Sequence, residues 1–160
     1  MNLFLEKHQQ LIQQLLLAKV DFIIIGGYSV IFHGYERITG DLDVWMKPDN
    51  NNKEKLLPAL KYFQIDADEI KEISQMDFTK HVVVGIWKEP EKVDFITHIN
   101  LVTYDEADKQ KILAEWEGMK IPFLHLDHLV LSKINTGRIQ DKADIEILQE
   151  IERKRQEKKK

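Results

Sequence analysis

The 160-residue chain has 43% hydrophobic and 31% charged residues, and its formal net charge is −4. This composition indicates a globular fold and excludes a disordered chain, and the acidic balance argues against a generally basic surface that coats nucleic acid. The absence of cysteine excludes disulfides, a thiol nucleophile and thiolate metal centres, and a reducing cytoplasm is the expected location. The length fits one domain over residues 1–160, in which we expect the basic tail at 152–160 to fray.

The N-terminal third is predicted to contain a helix, a strand and a second, shorter helix. Charged side chains interrupt the first apolar residues, so the segment lacks the continuous core of a signal peptide, and no stretch is long enough to cross a membrane. Apolar residues at helical spacing predict an amphipathic helix over residues 3–17. Phe22–Ile25 is typical of a buried strand, which Gly26 and Gly27 end, and residues 28–35 are predicted to form a short helix stopped by Gly34.

The middle of the chain alternates strands and helices. Leu42–Met46 is a second predicted strand, and Asn52 is a plausible N-cap for a helix through residue 63 that contains Pro58. A short helix over residues 66–74 follows. Residues 81–87 and 92–98 are predicted as two strands joined by a hairpin-like turn at Pro90.

The C-terminal third is expected to be mainly helical. Thr103 and Glu106 form a capping-box pattern that predicts a helix to about residue 115, and residues 119–124 suggest an edge strand because they contain Pro122. Asp127 is predicted to cap a helix through residue 135, and a last helix to begin near Asp141. The predicted class is α+β, with a small mixed or antiparallel sheet flanked by helices and a helical C-terminal third.

An aspartate pair in the second predicted strand is the strongest chemical signal. Side chains alternate along a strand, so Asp41 and Asp43 share one face while Leu42 points to the other. Two unit charges about 6.7 Å apart repel by roughly 2.5 kcal/mol at an effective dielectric near 20. A hard divalent cation is the natural way to offset that repulsion.

Two further features complete the predicted site. Asp94 is an acid within a strand-like apolar run, and three carboxylates would converge if that strand lies beside Leu42–Met46. Oxygen ligands of this kind suit Mg²⁺ or Mn²⁺, which arrive together with substrate phosphate. The turn at Gly26 and Gly27, which a side chain does not block, can expose backbone N–H groups to that phosphate, and Ser29 adds a hydroxyl.

The spacing of these features resembles the signature of polymerase-beta-like nucleotidyltransferases, in which a glycine turn precedes an Asp-x-Asp strand. The string GGYSVIFHGYERITGDLDVW at residues 26–45 is similar to small bacterial proteins related to the AbiEii toxin of abortive-infection systems. Arg37 and Thr39 belong to that closer match. The string HLDHLVLSKINTGRIQDKADIEIL at residues 125–148 resembles the C-terminal helices of the same family.

The resemblance implies a set of roles. Asp41, Asp43 and Asp94 would bind the metal and carry catalysis. The implied nucleotide-binding residues are Gly26, Gly27, Ser29, Arg37, Thr39, Lys133, Arg138 and Asp141. The implied reaction is in-line attack of an acceptor hydroxyl on the α-phosphate of a nucleoside triphosphate, with Asp94 helping to remove the proton. The acceptor would be an RNA, a protein or a small molecule, and a toxin would have an antitoxin partner.

Other interpretations of the same residues stay open. The aspartates of the second strand also fit a solvated strand end, and Asp94 an acid on an exposed face. Arg37 and Thr39 also fit a surface ion pair and an ordinary turn, and Lys133, Arg138, Asp141 and Asp144 a structural ion-pair junction between helices. A second functional hypothesis is a catalytically inactive nucleotide-binding sensor or partner subunit with the same fold.

Overall fold

The computed structural model describes residues 3–36 and 40–159. These residues form six strands, which are β1 (Phe22–Ile25), β2 (Leu42–Met46), β3 (Val83–Ile86), β4 (Val93–Ile96), β5 (Ile112–Trp116) and β6 (Met119–Phe123). They also form seven helices, which are α1 (Glu6–Leu17), α2 (Gly26–Phe32), α3 (Asn50–Tyr62), α4 (Ala67–Ser74), α5 (Tyr104–Gln110), α6 (Leu126–Ser132) and α7 (Ile139–Lys158). The α+β class is confirmed. None of these helices combines the length and the apolar character that crossing a bilayer requires.

The strands form one mixed sheet in the order β3-β4-β2-β1-β6-β5. β2 is antiparallel to β1 and parallel to β4, and β4 forms an antiparallel hairpin with β3. On the other side β1 is parallel to β6, which pairs antiparallel with β5. This order places β2 and β4 side by side, which is the arrangement that convergence of the predicted acids requires.

The two faces of the sheet carry different packing. One face buries α1 and α3, with Leu11, Ile12 and Leu56 fully inaccessible. The opposite face is covered over β1 and β2 by a second cluster that joins strand residues to α5, α6 and α7; its members include Ile23, Trp45, Tyr104, Leu129 and Leu148. On this face the β3 edge is not covered, because Val83 and Gly85 are exposed while Val84 and Ile86 are buried. The open part is where a cleft forms.

The predicted helix through residue 115 is wrong in its second half. The capping box of Thr103 and Glu106 is present, but α5 ends at Gln110 and β5 follows. Glu117 and Gly118 both have positive φ, the backbone of a tight hairpin turn between β5 and β6. The edge assignment of residues 119–124 is also wrong. β6 lies between β5 and β1, and it meets β1 through Ile24 and Phe123, one residue beyond Pro122.

Several predicted helix boundaries are shifted by local capping. α2 begins at Gly26 rather than residue 28, and its C-cap is His33. Gly34 follows with φ +110°, and its N–H donates to the Ile31 carbonyl, so the prediction that Gly34 stops this helix is confirmed. Asp127 is not the N-cap of α6, because its backbone N–H donates to Nδ1 of His125, which caps the helix. α6 ends at Ser132 instead of residue 135, and α7 starts at Ile139 rather than near Asp141. α7 continues to Lys158, and fraying of the tail stays a prediction.

Asn52 has a tertiary role instead of the predicted capping role, because Asp49 caps α3 by accepting from the Asn52 N–H at 2.7 Å. The buried Asn52 amide accepts from the Asp21 N–H and donates to the carbonyls of Asp21 and Lys47. It therefore ties the start of β1 and the end of β2 to α3.

We expect Asn52→Ala to lower the free energy of unfolding by roughly 1–3 kcal/mol, because it removes three partly buried hydrogen bonds. The Asp21 and Lys47 carbonyls keep the N–H groups of Lys47 and Asp49 as donors, whereas the Asp21 N–H loses its acceptor. Urea unfolding monitored by circular dichroism measures the change. Asn51→Ala is the matched control, since Asn51 is the exposed neighbour in the same helical turn. Equal effects of the two substitutions would contradict the assigned role.

Candidate active site

The register of two parallel strands brings Asp43 and Asp94 together. The two residues are direct partners in the β2–β4 ladder, flanked by the pairs Leu42–Val93 and Val44–Phe95. Neighbouring strands lie about 4.8 Å apart, and paired residues of adjacent strands point to the same face. Asp94 therefore faces the cleft beside Asp43. This is the neighbouring-strand arrangement that the two carboxylates need in order to lie close together.

Gly26 lies against the Asp43 carboxylate. β1 pairs Ile25 with Asp43, so the next residue, at the start of α2, passes directly over the acid. A Cβ atom built on Gly26 would lie 2.1 Å from Oδ2 and 3.0 Å from Cγ of Asp43. Gly26 also has φ +69°, which L-residues with side chains rarely adopt. Glycine is therefore required here on both steric and conformational grounds.

The environment of Asp43 disfavours its charged form. Burial is the main cause, and the negative charges of Asp94 and Asp41 add to it, so that the pKa of Asp43 rises from 3.8 to about 7. The positive charges of Lys133 and Arg138 act in the opposite direction but do not cancel the shift. A carboxylate held this way is poised to gain a cation.

Asp94 has two neighbours that define its side of the cleft. The ammonium of Lys92 lies 3.7 Å from Oδ2 of Asp94 and is itself partly exposed. A Cβ on Gly85, its partner in β3, would lie 3.1 Å from Oδ1. The absence of a side chain at Gly85 thus leaves the carboxylate open toward the edge of the sheet.

Asp41 is held at the side of the site by the β3–β4 turn. Its carboxyl group is hydrogen-bonded to Glu89, an interaction that raises the pKa of Glu89. The turn approaches so closely that a Cβ on Gly40 would lie 3.1 Å from Oε2 of Glu89. Asp41 contributes to the negative potential at Asp43, although it is not among the residues that line the cleft.

Lys133 is fixed by two aspartates on α7. Its ammonium lies 2.9 Å from Oδ2 of Asp144 and 3.1 Å from Oδ1 of Asp141, and Asp144 is fully buried. Gln140 donates to the other Asp144 oxygen, and Thr136 donates to the other Asp141 oxygen. The structure therefore contains the ion-pair junction that was one of the open interpretations, and it holds the lysine at the wall of the cleft.

These groups line a cleft of about 670 Å³. Of the predicted site residues, those that line it are Gly26, Asp43, Asp94, Lys133, Arg138 and Asp141. Gly27 and Ser29 are buried in α2 and do not line it, and the Ser29 hydroxyl has no hydrogen-bond partner in the described part of the chain. Arg37 and Thr39 lie outside the described residues.

Sequence reasoning missed several residues at the cleft. His81 and His98 line it with their rings 6.0 Å apart, and Glu89 contacts Asp41. The signal was available, because residues of a hairpin face each other symmetrically about its turn. With the turn centred between Glu89 and Pro90, that symmetry places His81 opposite His98 and Gly85 opposite Asp94.

The donor set of the cleft fits a hard divalent cation. Within the described ranges, no three His, Cys, Asp or Glu side chains are grouped closely enough to hold a metal ion unaided. Asp43 and Asp94 nevertheless supply oxygen donors, and their mutual repulsion is what bound Mg²⁺ or Mn²⁺ would relieve. Mg²⁺ characteristically uses one or two carboxylates and completes its shell with water and substrate phosphate.

Comparison with solved structures identifies the fold. The chain resembles the candidate nucleotidyltransferase TM1012 from Thermotoga maritima, with a TM-score of 0.57 and 18% identity over 87% of this chain and 88% of that one. It also resembles the lincosamide antibiotic adenylyltransferase LnuA in its lincomycin-bound form, with a TM-score of 0.55 and 17% identity over 92% and 98% of the two chains. No functionally curated protein matches the sequence significantly.

The fold is therefore similar to that of the polymerase-beta-like nucleotidyltransferases. The chain belongs to the family described as nucleotidyltransferase of unknown function (DUF6036), which matches residues 4–153. A nucleoside triphosphate is the substrate that this family membership implies.

Proposed function

We propose that this enzyme transfers a nucleotidyl group from a nucleoside triphosphate to an acceptor hydroxyl, using Asp41, Asp43 and Asp94 with Mg²⁺ or Mn²⁺. The observation that supports this most directly is the Asp43–Asp94 pair at the cleft, with Gly26 against the Asp43 carboxylate. The raised pKa of Asp43 is a second support, because a structural acid gains nothing from such an environment.

The triphosphate would lie between α2 and the α6–α7 junction. Gly26 leaves room for phosphate oxygens to approach backbone N–H groups at the start of α2, and Arg138 supplies a positive charge from the opposite wall. Gly27 is buried in α2, and its predicted contact with phosphate stays a prediction. Lys133 shares its charge between two aspartates, so its role is to hold Asp141 and the cleft wall as well as to attract phosphate. The roles of Ser29, Arg37 and Thr39 stay predictions.

In the proposed reaction the acceptor oxygen forms a bond to the α-phosphorus, the bond to the β-phosphate oxygen breaks, and pyrophosphate leaves. Asp94 accepts the hydroxyl proton, because its carboxylate is open toward the β3 edge. A bound divalent ion would supply charge neutralisation at the phosphates. Asp43, next to Asp94 and largely buried, positions the reacting groups, and Arg138 stabilises the charge that develops on pyrophosphate.

The identity of the acceptor is the least constrained part of the proposal. LnuA modifies a small antibiotic, which favours a small-molecule acceptor among the three classes considered. The resemblance to AbiEii-related proteins favours a toxin with an antitoxin partner and an RNA or protein acceptor. A cytoplasmic location and a single domain over residues 1–160 are part of the same proposal.

Incubation with α-labelled nucleoside triphosphates, Mg²⁺ and either cell extract or small hydroxylated molecules tests the reaction. We expect the wild-type protein to label an acceptor, and Asp94→Asn to reduce the rate by about 10²-fold or more, because the proton acceptor is lost. Glu115→Gln is the control, since it removes an exposed strand acid on β5, away from the cleft. Asp94→Asn with wild-type activity would refute the assigned role.

A nucleotide-binding sensor is the second candidate function. The finding that favours it is that no three metal-ligating side chains are grouped in the described residues. Calorimetry separates the two functions. A sensor would bind nucleotide with the same affinity with and without Mg²⁺ and show no turnover, whereas the enzyme requires the metal for tight binding.

A further inference from the structure

A second cavity of about 560 Å³ opens beside the cleft, under the loop that connects β4 to α5. It shares His98 and Ile99 with the cleft, so the two spaces adjoin. Its volume is in the range of small-molecule sites. None of the site residues discussed above for nucleotide or metal lines it, so the proposed nucleotide chemistry does not account for it.

The strand register sets the distance between this cavity and the carboxylates. On the face of the sheet that carries the acids, Asp43 and Asp94 form one row and Trp45 and Ile96 the next. Lys47, which also lines the cavity, follows two residues after Trp45, and its N–H donates to the Asp21 carbonyl in continuation of the β1–β2 pairing. Rows on one face are about 6.7 Å apart, so the second cavity extends from roughly 7 to 13 Å from the aspartates. A molecule of that length reaches both spaces.

The floor of the cavity is aromatic. Trp45 and Tyr104 pack edge to face with ring centroids 5.2 Å apart, and both are buried. The Trp45 indole N–H donates to the Thr97 carbonyl at 2.9 Å, so its polar atom is already satisfied and the side chain offers a ligand no hydrogen bond. Leu101, which is 64% exposed, adds an apolar side chain at the rim.

The rim of the cavity is acidic. Asp49 and Asp105 contribute two carboxylates, whereas Lys47 is the one permanently charged cation among the lining residues and lies 4.0 Å from Asp49. The formal charges of these three side chains sum to −1, and Trp45 and Tyr104 line the same cavity. Protonated amines suit such a combination, whereas phosphates are repelled by it.

We propose that this cavity binds the distal end of the acceptor, and that the acceptor is a small molecule with a hydroxyl and a protonated amine roughly 7–13 Å apart. This inference rests on the proposed function, because it places the hydroxyl at Asp94. The amine lies against Asp49 and Asp105, and the carbon skeleton passes over Ile99 and the floor of Trp45 and Tyr104. A polynucleotide acceptor fits poorly, since its phosphates would meet the acidic rim.

The test uses three probes of equal length that differ in charge, which are 8-amino-1-octanol, 1,8-octanediol and 8-hydroxyoctanoate. Nuclear magnetic resonance titration of the metal-free and nucleotide-free protein follows the Trp45 indole N–H signal. We expect saturable shifts with the amino alcohol, weaker binding of the diol and no binding of the hydroxy acid. Asp105→Asn should weaken amino alcohol binding by roughly three- to tenfold. Asp127→Asn is the matched control, because it removes a first-turn aspartate from a different helix.

The outcomes separate this inference from the proposed function. Equal affinity for the three probes, or no Trp45 shift with any of them, would overturn the acceptor site even if the protein transfers nucleotides to RNA. Selective amino alcohol binding that Asp105→Asn weakens and Asp127→Asn does not would support the site, whether or not transfer is observed. Enhanced transfer to the amino alcohol over the diol would then support both.

Discussion

Asp43→Asn is expected to abolish most nucleotidyl transfer and at the same time to stabilise the metal-free protein at neutral pH. The activity should fall by roughly 10²- to 10⁴-fold, because the substitution removes the carboxylate that lies against Gly26 and that is proposed to bind the metal ion. The stability should rise because the variant no longer ionises a group that burial and two neighbouring acids oppose.

The pH dependence follows from the direction of the shift. In the unfolded chain Asp43 ionises near 3.8, whereas in the folded protein it keeps its proton until about pH 7. The folded state therefore binds more protons in this window, and the contribution of Asp43 to the free energy of unfolding declines as the pH rises from about 4 to 7. The difference between the two pKa values corresponds to at most ~4 kcal/mol, and partial solvent access lowers it toward ~2 kcal/mol.

Urea unfolding at a series of pH values measures this contribution. The stability advantage of Asp43→Asn should be near zero below pH 4 and reach its full size above pH 7. Mg²⁺ with a non-hydrolysable nucleotide should stabilise the wild-type protein but not the variant. Asp68→Asn, an exposed aspartate on α4, should show neither effect. A variant that is less stable than wild type at pH 8 would contradict the electrostatic assignment.

Gly26→Ala is expected to reduce activity by about 10²-fold, because the added methyl group collides with the Asp43 carboxylate and displaces it from the cleft. The overlap involves Cβ and Cγ of Asp43 as well as the terminal oxygen, so rotation of the carboxylate alone does not relieve it. The positive φ adds a conformational cost of about 1–2 kcal/mol to folding.

The substitution Gly118→Ala is the control that distinguishes the collision expected at Gly26 from the cost of placing alanine at a positive φ. Gly118 has φ +78°, close to the +69° of Gly26, but a Cβ there would meet no atom within 4 Å. Both substitutions should lower the free energy of unfolding by a similar conformational cost, and only Gly26→Ala should lower kcat. If Gly118→Ala reduced kcat as strongly, strain in the fold and not displacement of Asp43 would explain the loss.

Local sequence patterns were sufficient for five of the six described strands and for the elements around the site. The β-branched run at β1, the alternation at β2 and the capping box at Thr103 depend on neighbours in the chain, and the structure confirms each of them. The failures share a cause as well. β5 was taken for helix because the turn at Glu117 and Gly118 was not recognised, and Asn52 was taken for a cap because its real partners lie outside its own helix.

The sequence by itself determined that Asp43 belongs to a strand that follows a glycine pair, because strand periodicity and glycine chemistry are local properties, whereas Asp41 lies just before that strand. Only the tertiary structure decided that Asp94 lies beside Asp43, that Gly26 touches that carboxylate, and that Lys133 is held by Asp141 and Asp144. The same holds for the cavity beneath the β4–α5 loop, whose walls come from distant segments. Strand order, register and helix docking bring together residues far apart in the chain, and no local pattern specifies which of the alternative pairings the folded core stabilises.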